Sequence, residues 1–222
     1  MTRVPFADLH AQYLSIKPTM DAAIAEVIAK SAFIRGPFVE RFEAEFATAI
    51  GVEHCVSCAN GTDSLYIAMH ALDVKRGDEV IVPAMSWIST SETVTQAGAD
   101  VVFCDIDPVT HTIDPLRLAA LVTDRTVGII PVHLYGHPAD MDPIMAIADK
   151  HGLWVIEDCA QSHLATYKDR MVGSFGTAAS YSFYPGKNLG AMGDAGAVVT
   201  RDKALADRMA KFARHGGLVK GQ

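Results

Sequence analysis

From residue 54 onward the chain alternates short apolar runs with amphipathic stretches, and that rhythm limits the folds open to it. Residues 54–58, 79–82, 101–104, 127–132, 153–156, 178–183 and 195–200 read as strands. Residues 62–72, 88–97, 115–122, 141–150 and 203–214 read as helices. Apolar strands alternating with helices call for a mainly parallel sheet covered on both faces. The expected class is α/β, a three-layer sandwich with a mainly parallel central sheet. Two helices are expected before the first strand. Residues 18–33 place Met20, Ile24, Val27 and Ile28 on one face, and Gly36-Pro37 breaks that pattern. Residues 38–50 repeat Phe38, Phe42, Phe46 and Ile50 every fourth position, and Gly51 stops them. Residues 1–35 are therefore expected to form an N-terminal helical segment, and 36–222 the main domain.

A chain of 222 residues, half of them hydrophobic, can bury a substantial core. No apolar run approaches the ~18–20 residues that cross a membrane. The opening Met1-Thr2-Arg3-Val4-Pro5 lacks the charged and apolar regions of a secretory signal, so a cytoplasmic protein is expected. A net charge of −7 with scattered Lys and Arg argues against a nucleic-acid surface. Cys55-Val56-Ser57-Cys58 matches a C-x-x-C pattern, but no second pair completes a zinc site, and strand positions three apart face opposite ways. His133, His137 and His163 fall in no metal-ligand spacing and are expected to line a site or to be structural. After the last helix the chain runs through His215-Gly216-Gly217 to Gln222 with nothing resembling a second domain. That suggests either a natural ending or part of a larger protein.

Four segments carry candidate chemistry. Ser182-Phe183-Tyr184-Pro185-Gly186-Lys187-Asn188-Leu189-Gly190 sets a lysine in an apolar, turn-forming run. Twenty-nine positions earlier, Asp158 follows an apolar strand. An amine in a Gly-flanked turn and an acid at a strand end are the two groups that pyridoxal phosphate (PLP) needs. The amine forms a Schiff base with the aldehyde, and the acid holds a proton on the ring nitrogen. Asp158 can equally be a helix cap or an arginine partner. Ala59-Asn60-Gly61-Thr62-Asp63-Ser64 joins a strand to a helix, and reads either as a phosphate cradle or as an ordinary turn capped by Thr62 or Asp63. Pro83-Ala84-Met85-Ser86-Trp87 follows a strand, and Trp87 is either a flat face for a cofactor ring or a core aromatic under a loop.

At these residues the chain resembles the DegT/DnrJ/EryC1/StrS family of nucleotide-sugar aminotransferases, in PLP fold type I. The supporting segments are Val4-Pro5-Phe6-Ala7-Asp8-Leu9, Gly36-Pro37, Ala59-Asn60-Gly61-Thr62-Asp63-Ser64-Leu65, Gly77-Asp78-Glu79-Val80-Ile81-Val82-Pro83, Pro131-Val132-His133-Leu134-Tyr135-Gly136, Ile156-Glu157-Asp158-Cys159-Ala160-Gln161 and the lysine turn. The resemblance implies an aspartate-aminotransferase-like large domain whose small C-terminal partner is missing. It implies Lys187 as the internal aldimine lysine and Asp158 as the partner of the pyridine nitrogen. It further implies Gln161 near the ring hydroxyl, Trp87 stacked on the cofactor, and Gly61, Thr62 and Ser182 on its phosphate. The implied reaction moves an amino group, with glutamate as donor, to a keto carbon of a nucleotide-linked sugar, C3 favoured over C4. A homodimer with its site at the subunit interface goes with it. Dehydratase-like members carry histidine where this chain has Lys187. The competing readings are a PLP-dependent sugar dehydratase and a non-catalytic remnant.

Overall fold

The computed structural model describes residues 4–217. The expectations resting on residues 1–3 and 218–222 lie outside the described residues. Seven strands form one sheet: β1 (His54–Cys58), β2 (Glu79–Pro83), β3 (Asp100–Cys104), β4 (Thr126–Ile129), β5 (Trp154–Asp158), β8 (Ala178–Ser182) and β9 (Gly196–Thr200). Their order is β1-β9-β8-β5-β4-β2-β3. A separate hairpin pairs β6 (Thr166–Tyr167) with β7 (Arg170–Met171), strands too short to leave a periodic signal. The helices are α1 (Leu9–Ala29), α2 (Pro37–Ile50), α3 (Gly61–Ala71), α4 (Ser89–Gln96), α5 (Pro115–Leu118), α6 (Met141–His151) and α7 (Lys203–Ala213).

The sheet is parallel except at β9, which runs antiparallel to both β1 and β8. No helix separates β8 from β9, and a parallel return would need such a crossover. Alternation along the strands divides the core. Val56, Val80, Val82, Ile156 and Val198 pack with α3, α4 and α7 on one face. On the other, Tyr181, Ala197 and Val199 meet α2, while Ile81, Ile129 and Val155 meet α5 and α6. This is the expected three-layer sandwich. Cys55 and Cys58 contribute to opposite layers. Burial raises both thiols, Cys58 to about 12, so neither is a ready nucleophile.

Three elements show instructive differences from expectation. Helix α1 starts at Leu9 rather than residue 18, because the Asp8 side chain accepts from Ala11 N and caps it. Pro18 then lies in its interior, where it removes one helix donor. Strand β4 stops at Ile129, since Pro131 has no N–H to offer a ladder, and only an isolated bridge joins Val132 to Asp158. Residues 115–122 form α5 and then a tighter 3₁₀ turn at Ala119–Leu121.

Candidate active site

β1, β2, β5 and β8 all run in one direction and end on one side of the sheet. Ligands gather at such carboxyl ends. A cavity of about 520 Å³ opens there, lined by all seven candidates: Gly61, Thr62, Trp87, Asp158, Gln161, Ser182 and Lys187. They come from the ends of four strands, β1, β2, β5 and β8, or the loops after them, so the sheet is what brings them together.

Asp158 closes β5 and is 5% exposed. Its Oδ1 accepts from Ala160 N at 3.1 Å and its Oδ2 from Thr90 Oγ1 at 2.9 Å. Burial raises its proton affinity, and those two hydrogen bonds and the Lys187 charge pull it back. Asp158 is neither a helix cap nor an arginine partner: its side chain bonds Thr90 and the backbone of its own turn. Lys187 is half-buried in the loop of residues 183–195, where Lys187 N donates to Tyr184 O at 2.8 Å. Burial lowers its pKa, partly opposed by the Asp158 carboxylate, so more of the amine is neutral than in water. Gly190 is obligatory in that loop, because a Cβ there would stand 2.3 Å from Pro185 O.

The turn into α3 is capped by Asn60, whose Oδ1 accepts from Asp63 N at 2.8 Å. This corrects the alternative of a cap at Thr62 or Asp63: two residues before Thr62, Asn60 is extended and its carbonyl starts the helix. The N–H groups of Gly61 and Thr62 have no intrahelical partner, and Ser182 stands beside them. Thr62 Oγ1 lies 2.7 Å from Ser89 Oγ. Two free backbone donors, the helix dipole and three hydroxyls make an anion cradle. A Cβ on Gly61 would stand 2.7 Å from the Ser182 Cβ. Gly61→Ala is therefore expected to displace Ser182, cost about 1–3 kcal/mol of stability and weaken anion binding. Urea unfolding and a phosphate titration measure the two effects.

Gln161 Oε1 accepts from Tyr135 N at 2.7 Å, so its amide nitrogen is the group left to the cavity. Trp87 lines the cavity yet is 73% exposed, so it is not a core aromatic. Sequence reasoning missed Ser86, Ser89 and Thr90, three hydroxyls within five residues around the start of α4; their clustering beside Trp87 was the available signal. It also missed the buried Glu157. Glu157, His133 and Cys159 place ligand-type atoms within 4.8 Å of one another. Backbone groups already occupy two of the three: His133 Nδ1 accepts from Ala139 N at 3.0 Å, and Glu157 accepts from Gly173, Phe175 and Gly176 N–H. His163 packs at a tilt against the rings of Tyr181 and Phe183.

An acid buried at a strand end, an amine facing it and an anion cradle lie together on a doubly covered sheet, an arrangement suited to a phosphate-bearing cofactor. The comparisons with known proteins agree. Residues 14–222 match the DegT/DnrJ/EryC1/StrS aminotransferase family, and the chain belongs to that family. It is 48% identical over 217 residues to a pleiotropic regulatory protein of Geobacillus stearothermophilus, covering 98% of this chain and 58% of the relative. It is 45% identical over 218 residues to a dTDP-3-amino-3,4,6-trideoxy-alpha-D-glucose transaminase of Streptomyces venezuelae, covering 98% of this chain and 58% of the relative. Among solved structures, S. venezuelae DesV in complex with a ketimine intermediate superposes with a TM-score of 0.97 at 44% identity, covering 100% of this chain and 60% of that one. The chain thus spans about 60% of the length of these relatives. Aminotransferases of this family use PLP.

Proposed function

We propose that the protein is a PLP-dependent aminotransferase acting on a keto carbon of a nucleotide-linked sugar, with glutamate as amino donor and C3 as the position aminated. The observation that carries this is the single cavity lined by Lys187, Asp158 and the Gly61–Thr62–Ser182 cradle. The residues fit the cofactor on their own chemistry. A buried carboxylate with a spare lone pair on each oxygen suits a ring N–H, a lysine with a lowered pKa suits an aldehyde, and the start of α3 suits a phosphate.

When bound, PLP supplies an aldehyde for the donor's amine and an electron-withdrawing ring. This chain's residues do the rest. Asp158 keeps a proton at the ring nitrogen. Gln161 donates its amide N–H toward the ring hydroxyl, and Trp87 offers its face. Lys187 Nζ would take the proton from the donor's Cα and deliver it to the carbon that was the cofactor's aldehyde, which needs the neutral amine that burial favours. Lysine rather than histidine at 187 favours amino transfer over dehydration. The preference for C3 is supported by the relative whose name places the amino group there. In this reading residues 36–222 are the cofactor-binding unit, and the described part of 1–35 carries helix α1. Trp87, Tyr184, Leu189 and Met192 expose apolar surface at and beside the cavity, which a second copy in a homodimer covers.

The test is to load the protein with PLP, add glutamate, and follow both 2-oxoglutarate release and the mass shift of a panel of 3-keto and 4-keto nucleotide sugars. Release of 2-oxoglutarate with amination of a 3-keto sugar is the expected result. A PLP-loaded protein that releases none overturns the reading.

A further inference from the structure

The hydrogen bonds at Asp158 extend beyond the site described above. Thr90, 1% exposed, donates to Asp158 Oδ2, and Thr90 Oγ1 also lies 2.8 Å from Ser86 Oγ. A hydroxyl has one proton to give, and an ionised carboxylate only accepts. The Thr90 proton therefore points at Asp158, and Ser86 must be the donor to Thr90. The order Ser86, Thr90, Asp158 has a fixed polarity, and Ser86 stands in the cavity wall.

We propose that Ser86 and Thr90 form a hydroxyl relay that positions Asp158 toward the pyridine nitrogen of PLP and sets how tightly it holds the proton there. This rests on the PLP reading above. The terminal torsion of an aspartate is broad and two-fold, so the carboxylate plane needs outside support. Thr90 on one oxygen and Ala160 N–H on the other supply it, and each oxygen keeps a lone pair for the ring. Ser86 and Thr90 lie on either side of Trp87, so the short segment that leads into α4 presents the aromatic face and orients the acid. The charged or titratable groups that act on Asp158 are Lys187 from the β8–β9 loop and His133 from the segment after β4, besides its chain neighbour Cys159. All of these remain in a Thr90 variant, so a change there reads the lost hydroxyl. With Thr90 removed, burial acts on Asp158 with one hydrogen bond fewer to oppose it, and its hold on a proton rises.

The test uses the full chain loaded with PLP. Thr90→Val keeps the shape and removes the donor, Thr90→Ser restores it, and Ser86→Ala removes the outer link alone. The readouts are the pH midpoint of the visible band of bound PLP and the dissociation constant of PLP from fluorescence of the apoprotein. Thr90→Val is expected to move the midpoint by about half a unit or more and to weaken PLP about 5–10-fold. Thr90→Ser should return both to within about twofold of the wild type, and Ser86→Ala should give a smaller change in the same direction. A role in packing alone would leave the midpoint where it was. If the wild type binds PLP and Thr90→Val keeps its midpoint and affinity, or if Thr90→Ser fails to rescue, the relay is overturned. Should Thr90→Val not fold, an unchanged midpoint in Ser86→Ala overturns it as well. A wild type that takes up no PLP overturns the cofactor reading, and the relay falls with it.

Discussion

Lys187→Ala is expected to erase the visible absorption of lysine-bound PLP and to slow amino transfer by on the order of 10³-fold. Two roles fall on one atom. Among the described residues Nζ is the only amine lining the cavity, and it faces Asp158 across it. It is therefore the group that can join the aldehyde and then carry a proton. Burial lowers its pKa, so the working neutral form is favoured as pH rises, and the acid limb of the rate profile should follow deprotonation at this position. Lys187→Arg separates charge from chemistry: it keeps the cation and removes the titratable amine, and should be as inactive as alanine. The loop that bears Lys187 is pinned at its base by Phe183 N to Ala195 O and Ala191 N to Phe183 O, so the alanine variant should melt within a few degrees of the wild type. An alanine variant that keeps the band, measured near neutral pH with the protein desalted, would remove Lys187 from the mechanism.

Much of this arrangement was legible in the residues. The alternation of apolar runs fixed the layers, because strands buried along their whole length, such as β2 and β9, are apolar through their middle and admit a polar residue only at an end, Glu79 and Thr200. The lysine turn and the Asp158 strand end were legible as chemistry because each sets a charged group where packing alone would not. What stayed hidden depends on contacts between distant elements. The antiparallel β9 depends on a missing crossover rather than on composition. Asn60, not Thr62, caps α3 because its backbone is extended, which a run of polar residues does not reveal. Thr90 reaches Asp158 across 68 positions of chain, so no local pattern announces it.

The second large effect falls on stability. Glu157 is fully buried one residue before Asp158 and points to the opposite face of β5. Its Oε1 accepts from Phe175 N at 2.7 Å and Gly176 N at 2.8 Å. Its Oε2 accepts from Gly173 N at 2.7 Å and lies 3.1 Å from His133 Nε2. His133 Nδ1 is occupied as an acceptor, so Nε2 carries the proton and donates. Burial by itself would raise this carboxyl, but the His133 and backbone hydrogen bonds outweigh it and leave Glu157 below its ordinary 4.5. Glu157→Gln keeps the shape and fails in either amide orientation. An NH₂ placed at either position faces two N–H donors and leaves them unpaired. The expected loss is about 3–5 kcal/mol at neutral pH, a large share of a typical domain's stability. Because the folded-state pKa is depressed, the wild-type advantage is complete above the ordinary carboxylate value and disappears as pH falls through the folded value. Urea unfolding of both proteins between pH 7 and pH 3 should therefore give curves that converge toward acid. A variant within about 1 kcal/mol of the wild type at pH 7 would mean that the backbone of residues 173–176 finds other acceptors, and that β5 holds Asp158 in place without this anchor.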